Sequence, residues 1–277
     1  MKLAPGVVTA LALALAVGCR TGRDYPDASG PRYAGGPPRA STESRAQPDT
    51  LRVVTFNIQF ARDIEGAIAL LAGEPDLRTA DVVLLQEMDA PGTARIADAL
   101  GMWYVYYPAI FHHSANRDFG NAVLSRWPIV DDAKIVLPHP SQYAGTHRTA
   151  TAATVRIGVE RVRVYSTHLG TMADIGSGRR HEQLGAILAH AAGHPLVAIG
   201  GDLNDGDIGE LAAEAGYAWP TRHGPRTTRF GRWDHVFFKG LTIPDSMAAG
   251  AAVDARGVSD HLPVWAIGLL RRRGSGR

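Results

Sequence analysis

A single cysteine, Cys19, stands in the 277-residue chain, so no intrachain disulfide can form. Zinc sites built on cysteine clusters and thiolate chemistry are excluded with it. No His-Glu-x-x-His stretch is present to hold zinc on a helix. An excess of charge of one sign is also missing: 29 Lys and Arg face 27 Asp and Glu, a formal net charge of +2. Overall electrostatics therefore argue neither for nor against a polyanionic partner, and local charge must decide. No internal repeat is found. The apolar run at 7–17 is too short to span a bilayer, which takes ~20 residues.

That run follows Lys2 and leads into Gly18-Cys19, the pattern of a secretory signal. Ala16-Val17-Gly18-Cys19 resembles a bacterial lipoprotein processing site, at which the cysteine becomes the lipidated N-terminus, although Ala16 is smaller than the residue usual there. The expectation is a signal segment at 1–19 and a lipid anchor at Cys19. Such an anchor would hold the protein at a bacterial membrane surface outside the cytoplasm. Ordinary cleavage and secretion is the alternative. Residues 20–49 are dense in Pro, Gly, Ser and Arg and carry no apolar periodicity, so a flexible tether is expected there. One domain is expected over 50–270, and Arg271-Arg272-Arg273 opens a basic tail at 271–277.

Apolar residues make up 45% of the chain, enough for a sizeable core. Within 50–270, β-prone runs at 51–56, 81–86, 103–107, 122–125, 152–157, 162–166, 196–199, 235–238 and 264–268 predict strands. Helical spacing appears at 64–71, 94–100 and 180–191, the second stopped by Gly101. Strands outnumber helices and several adjacent strands lack a helix between them. The pattern predicts an α/β (α+β) fold with two mixed, mostly antiparallel sheets packed face to face and helices outside.

Polar residues abut the ends of these strands in seven places. They are Thr55-Phe56-Asn57-Ile58, Gln86-Glu87, Gly120-Asn121, Thr167-His168-Leu169, Gly200-Gly201-Asp202-Leu203-Asn204, Asp234-His235 and Ser259-Asp260-His261. Ionisable groups at buried strand ends are costly unless they are paired or metal-bound. Any one junction has a bland reading as a cap or turn. Seven in one domain form the inventory for hydrolysing a phosphate ester. Glu87, Asn57 and Asp260 offer oxygen ligands for Mg²⁺ or Mn²⁺. Asp202 can take a proton from water, while Asn204, Asn121 and His168 can donate to phosphate. Asp234 can pair with His261 and hold it protonated.

These motifs, in this order, resemble the endonuclease/exonuclease/phosphatase superfamily, whose members include deoxyribonuclease I and neutral sphingomyelinases. The resemblance implies a four-layered α/β sandwich. It also implies that Glu87 is the direct metal ligand beside Asn57, and that Asp202 and Asn204 serve water activation and phosphate contact. His168 then contacts phosphate, Asn121 borders it, and Asp234 orients the His261 of the terminal Asp260-His261 pair. Trp233 departs from the pattern, since an aliphatic residue usually precedes that aspartate. The tyrosine of abasic-site enzymes has no clear counterpart.

The expected activity is metal-dependent phosphodiester hydrolysis outside the cytoplasm, on nucleic acid, a phospholipid headgroup or a soluble phosphate ester, by a monomer. An inositol-phosphate-type phosphomonoesterase and an inert surface-displayed binding module on the same fold are the alternatives. Arg148 reads equally well as a solvated or a substrate-facing group, while solvent exposure is the first expectation for His112-His113 in an expected substrate loop and for Arg179-Arg180-His181 at a helix start.

Overall fold

The computed structural model describes residues 22–37, 48–244 and 248–270. The expected signal segment with Cys19 and the basic tail lie outside the described residues. Two sheets carry the fold. The larger has eight strands: β1 (Gly22–Asp24), β2 (Tyr33–Gly35), β3 (Thr50–Asn57), β4 (Val82–Met88), β5 (Trp103–His112), β6 (Arg117–Ser125), β12 (Ala249–Ala251) and β13 (Val264–Leu269). Their order is β1-β5-β6-β4-β3-β13-β12, with β2 also paired to β5. The smaller sheet runs β11 (Asp234–Lys239), β10 (Val197–Asp202), β9 (Glu160–His168), β8 (Thr149–Ile157) and β7 (Ile129–Val136). One parallel pair sits in each sheet, β3 with β4 and β9 with β10, and the remaining pairs are antiparallel.

Successive side chains on a strand point to opposite faces, so a strand covered on both sides reads as a continuous apolar run. Val53, Val82, Leu84, Val164 and Ala198 meet between the sheets. Their neighbours Val54, Val83 and Leu85 face outward against helices α1 (Ile64–Gly73) and α2 (Ala90–Leu100). Tyr165 and Ile199 face outward against α3 (Ser177–Ala191) and α4 (Gly209–Glu214). Three apolar layers thus separate four structural ones, helix, sheet, sheet and helix. The expected four-layered sandwich is the observed one.

The described part of 20–49 is not a free tether. β1 and β2 lie along the edge of β5, and Tyr25 N donates to Ala109 O at 2.9 Å. Side chains fasten the same segment: Arg32 pairs with Asp132, and Asp24 accepts from both the backbone and the Nδ1 of His147. Strand β7 and helix α4, not foreseen from the pattern, complete the smaller sheet and its outer layer.

At the end of β10 two glycines leave room for their neighbours: a Cβ on Gly200 would stand 2.8 Å from Leu84 Cδ1 of the facing sheet, and Gly201 lies against β9 in its own sheet. A Cβ on Gly201 would stand 1.9 Å from Thr167 O. Gly201→Ala is therefore expected to destabilise the fold by about 1–3 kcal/mol, as overpacking does. Urea unfolding would measure it, and an unchanged midpoint would show that the strands have room to part.

Candidate active site

Strand register brings the polar junctions to one edge. In the smaller sheet Asp202 at the end of β10 lies opposite His168 on β9 and opposite Asp234 on β11. In the larger sheet Asn57 ends β3 beside Gln86 on β4. Both parallel pairs end at this edge, where layered folds place their chemistry. The 259–261 loop is pinned over it, since Ser259 Oγ donates to Asn57 O at 2.7 Å and accepts from His261 N at 3.1 Å.

Glu87 arrives by a local break in the strand. Alternation sends Gln86 between the sheets, where its Nε2 donates to Ser166 Oγ at 3.0 Å. Strict alternation would turn Glu87 towards the helices. Instead the register slips between Leu85 and Met88, and Glu87 takes φ +60°. A bulge with a non-glycine residue in the left-handed region is costly and marks a re-aimed side chain. Gln59, Phe60 and Ala61 also have positive φ, and this turn offers Phe60 N to Glu87 Oε2 at 2.9 Å.

The buried Asn57 amide joins the two sheets' carboxylates. Its Nδ2 donates to Glu87 Oε1 and to Asp202 Oδ2, each at 3.1 Å, while its Oδ1 accepts from Gln59 N at 3.0 Å. In this orientation Asn57 acts as a donor between carboxylates, and its oxygen is committed to the turn. Burial raises the pKa of Glu87 above the usual range, against the pull of Asn57, Arg148, Phe60 N and His261. Burial also lifts Asp202 to about 7, with Asp234 and Glu87 adding to the rise and His261 and Asn204 N opposing it.

His261 is held from two sides. Its Nδ1 donates to Asp234 Oδ2 at 2.9 Å, and its Nε2 stands 3.6 Å from Asp202 Oδ2. Burial alone would push its pKa down, but Asp234, Asp202 and Asp260 raise it to about 10. The ring is an imidazolium. His168 is the opposite case: burial, Arg148 and His261 drive its pKa well below the ordinary value, so it is neutral. Its Nε2 lies 3.3 Å from Asp202 Oδ2, and its Nδ1 is buried without a hydrogen bond. His235, next to Asp234, is structural. It accepts from Trp219 Nε1 at 3.2 Å, contacts Asp205 O through Nε2, and is pushed by burial down to about 4.

Glu87, His168, Asp202, Asn204 and His261 line one cavity of about 350 Å³. Asn204 has φ +52° and donates from Nδ2 to Leu169 O at 3.1 Å. Two expected site residues stand apart. Asn121 spends its amide on Thr149 O at 2.7 Å, tying β6 to β8, and it does not line the cavity. Asp260 is exposed and makes no side-chain hydrogen bond to the cluster; it reaches the site through its charge on His261. A second cavity of the same volume opens beside Thr227, Arg232 and Asp234 but holds no other member of the cluster.

Arg148, ambiguous in sequence, belongs to the site. Its guanidinium packs over Phe119, with 5.5 Å to the ring centroid, and lines the cavity. Its Nη1 is buried with no hydrogen-bond partner, while Glu87 and Asp202 attract its charge. A buried guanidinium left without a partner is poised for an oxyanion. His112 lines the same cavity, whereas Arg180 turns inward to Ile175 O and Asp205 and braces the start of α3. Phe60 and Phe119, which form an aromatic wall with His112, carried no sequence signal.

Residues 54–261 match the model of the Endonuclease/Exonuclease/phosphatase family. The chain belongs to this family. Among solved structures, an endonuclease/exonuclease/phosphatase from Beutenbergia cavernae superposes with TM-score 0.63 at 24% identity, over 80% of this chain and 72% of that one. TDP2 from D. rerio, complexed with single strand DNA product, gives 0.61 at 17% identity over 80% of this chain and all (100%) of the other. Sphingomyelinase C from Streptomyces griseocarneus gives 0.59 at 18%, with 80% and 100% covered. At these identities the likeness is one of fold. No curated protein sequence matches the chain. Family members are phosphoester hydrolases, and the acid–histidine cluster described above occupies the matched region.

Proposed function

We propose that the protein is a divalent-metal-dependent phosphodiesterase acting outside the cytoplasm, on the membrane surface if Cys19 carries a lipid. The observation that supports this most directly is the pairing of Asp202, poised at about 7, with the imidazolium of His261 at 3.6 Å. One group accepts a proton near neutral pH and the other holds one. Asp202 takes the proton from an attacking water, and His261 donates a charged hydrogen bond to a phosphoryl oxygen. Neutral His168 and Arg148 face the remaining oxygens, and Asp234 keeps the His261 ring oriented.

The residues present fit a hard cation. Asp202, Asp234 and His261 bring ligand atoms within 4.8 Å of one another, but Asp234 is already committed to His261. Glu87 is the better holder: it is partly buried and lines the cavity, its pKa is raised, and it shares one amide nitrogen with Asp202. Mg²⁺, or Mn²⁺ in its place, would neutralise charge gathering on the phosphoryl oxygens.

Hydrolysis of bis-p-nitrophenyl phosphate tests the reading. Activity is expected with Mg²⁺, abolished by EDTA and restored by added Mg²⁺ or Mn²⁺. Glu87→Gln is expected to lower activity by about 100-fold and to raise the Mg²⁺ concentration required. Full activity in EDTA would overturn the metal dependence. Inactivity with every cation and phosphoester tried would leave a binding module on the same fold.

A further inference from the structure

The segment before Asp234 carries a feature that the hydrolytic cluster does not use. Residues 222–233 hold Arg222, Arg226, Arg229 and Arg232 and no carboxylate. The loop is closed on itself. Thr227 N and Thr228 N donate to Gly231 O at 3.1 and 3.0 Å, and Thr228 Oγ1 accepts from Phe230 N and Gly231 N at 3.1 Å each. Trp233 N donates to Thr227 Oγ1 at 3.1 Å. This backbone presents Phe230 outward, with 59% of its surface exposed, rather than letting it fold into the core. Its ring stacks on Trp233, with centroids 5.5 Å apart and planes at 15°, and the Arg229 guanidinium lies 4.3 Å from its centroid. Trp233 in turn lines the cavity that holds Asp202 and His261. At the Glu87 end of that cavity stands a second aromatic–arginine pair, Arg62 over Phe60 at 5.4 Å.

We infer that the Arg229–Phe230–Trp233 stack is a base-binding subsite, which takes a nucleobase of a single-stranded nucleic acid next to the phosphate held at Asp202 and His261. The inference rests on the phosphodiesterase reading and names its substrate class. A planar aromatic surface whose Trp233 lines the same cavity as Asp202 and His261 suits a nucleotide, in which base and phosphate are carried on one sugar. Every base offers a π-face to such a surface, and arginines interleaved with aromatics track the charged backbone. A bilayer contact would call for a contiguous apolar patch. Here the neighbours of Phe230 in the chain are Thr228, Arg229, Gly231 and Arg232.

The test measures binding of a short fluorescent oligothymidylate in EDTA, beside the same oligomer made with abasic residues. Phe230→Ala is expected to weaken oligothymidylate binding by about 5- to 100-fold, the range of one lost base stack. Binding of the abasic oligomer should be unchanged, as should kcat for bis-p-nitrophenyl phosphate. Equal weakening of both oligomers, or no weakening of either, would overturn the subsite. So would a Phe230→Ala protein that keeps its oligonucleotide affinity and instead loses binding to phosphatidylcholine–phosphatidylglycerol vesicles, since that marks a membrane contact. A wild-type protein that binds bases through Phe230 but hydrolyses no phosphoester would sink the phosphodiesterase reading and leave the subsite standing.

Discussion

Asp202→Asn is expected to lower kcat for phosphodiester hydrolysis by about 1,000-fold, the scale of a lost general base, while making the fold more stable above neutral pH. The amide has the shape of the carboxylate, and its single oxygen can keep the bond from Asn204 N, while the bond from Asn57 Nδ2 to the other carboxylate oxygen is given up. What disappears is the charge and the proton acceptor. The stability effect follows from the direction of the pKa change. Burial lifts Asp202 from 3.8 to about 7, so the charged carboxylate is disfavoured in the folded state. That penalty is absent at pH values below 3.8, grows between there and about 7, and is complete above it. The variant should therefore melt at a higher temperature than wild type in alkaline buffer with EDTA, and the advantage should vanish in strong acid. A variant with the wild-type rate would remove Asp202 from the role of base. One that is less stable at alkaline pH would show that the carboxylate is compensated.

What could be read from the sequence divides along physical lines. Strands buried on both faces announced themselves as apolar runs, and their strand-end polar residues announced the site. Strands β1 and β2 could not be seen, because three-residue segments held by backbone pairing to β5 leave no side-chain pattern. Strand β7 was hidden by Asp131, Asp132 and Lys134, whose charges are met by Arg163, by Arg32 and by the backbone oxygen of Tyr25. Those partners come from distant parts of the chain. The same holds for Arg148. Its neighbour His147 is clamped by Asp24, 123 positions away, at 2.6 Å, and its own guanidinium rests on Phe119. A motif can place a strand-end aspartate, but it cannot show which loop arginine a remote segment presses into the cavity. Asn121 illustrates the reverse. Its motif put it at the phosphate, yet the backbone oxygen of Thr149 claims its amide.

The window of activity set by Asp202 and His261 gives the second large effect, and Asp234 controls it. In the proposed mechanism hydrolysis needs Asp202 without its proton and His261 with one. The rate of the wild-type enzyme should therefore rise with pH through about 7, the value of Asp202, and fall as His261 gives up its proton near 10. A bound divalent cation favours the carboxylate form, so saturating Mg²⁺ should move the acid limb downward. Asp234→Asn takes away the largest influence raising His261 and leaves burial opposed by Asp202 and Asp260 alone, so the ring's pKa moves down from about 10. The alkaline limb then moves down towards neutrality, and less of His261 holds its proton at mildly alkaline pH. Activity at mildly alkaline pH is expected to drop by about 100- to 1,000-fold, comparable to losing one aimed charged donor. His261→Gln should reach the same floor without any pH dependence on the alkaline side. Because Asp234 is fully buried and its only hydrogen-bonded side-chain oxygen serves His261, the asparagine variant separates charge from shape. Imidazole NMR shifts recorded across the pH range would locate the proton directly. An alkaline limb that stays near 10 in Asp234→Asn would take His261 out of the proton-holding role and assign that limb to another group.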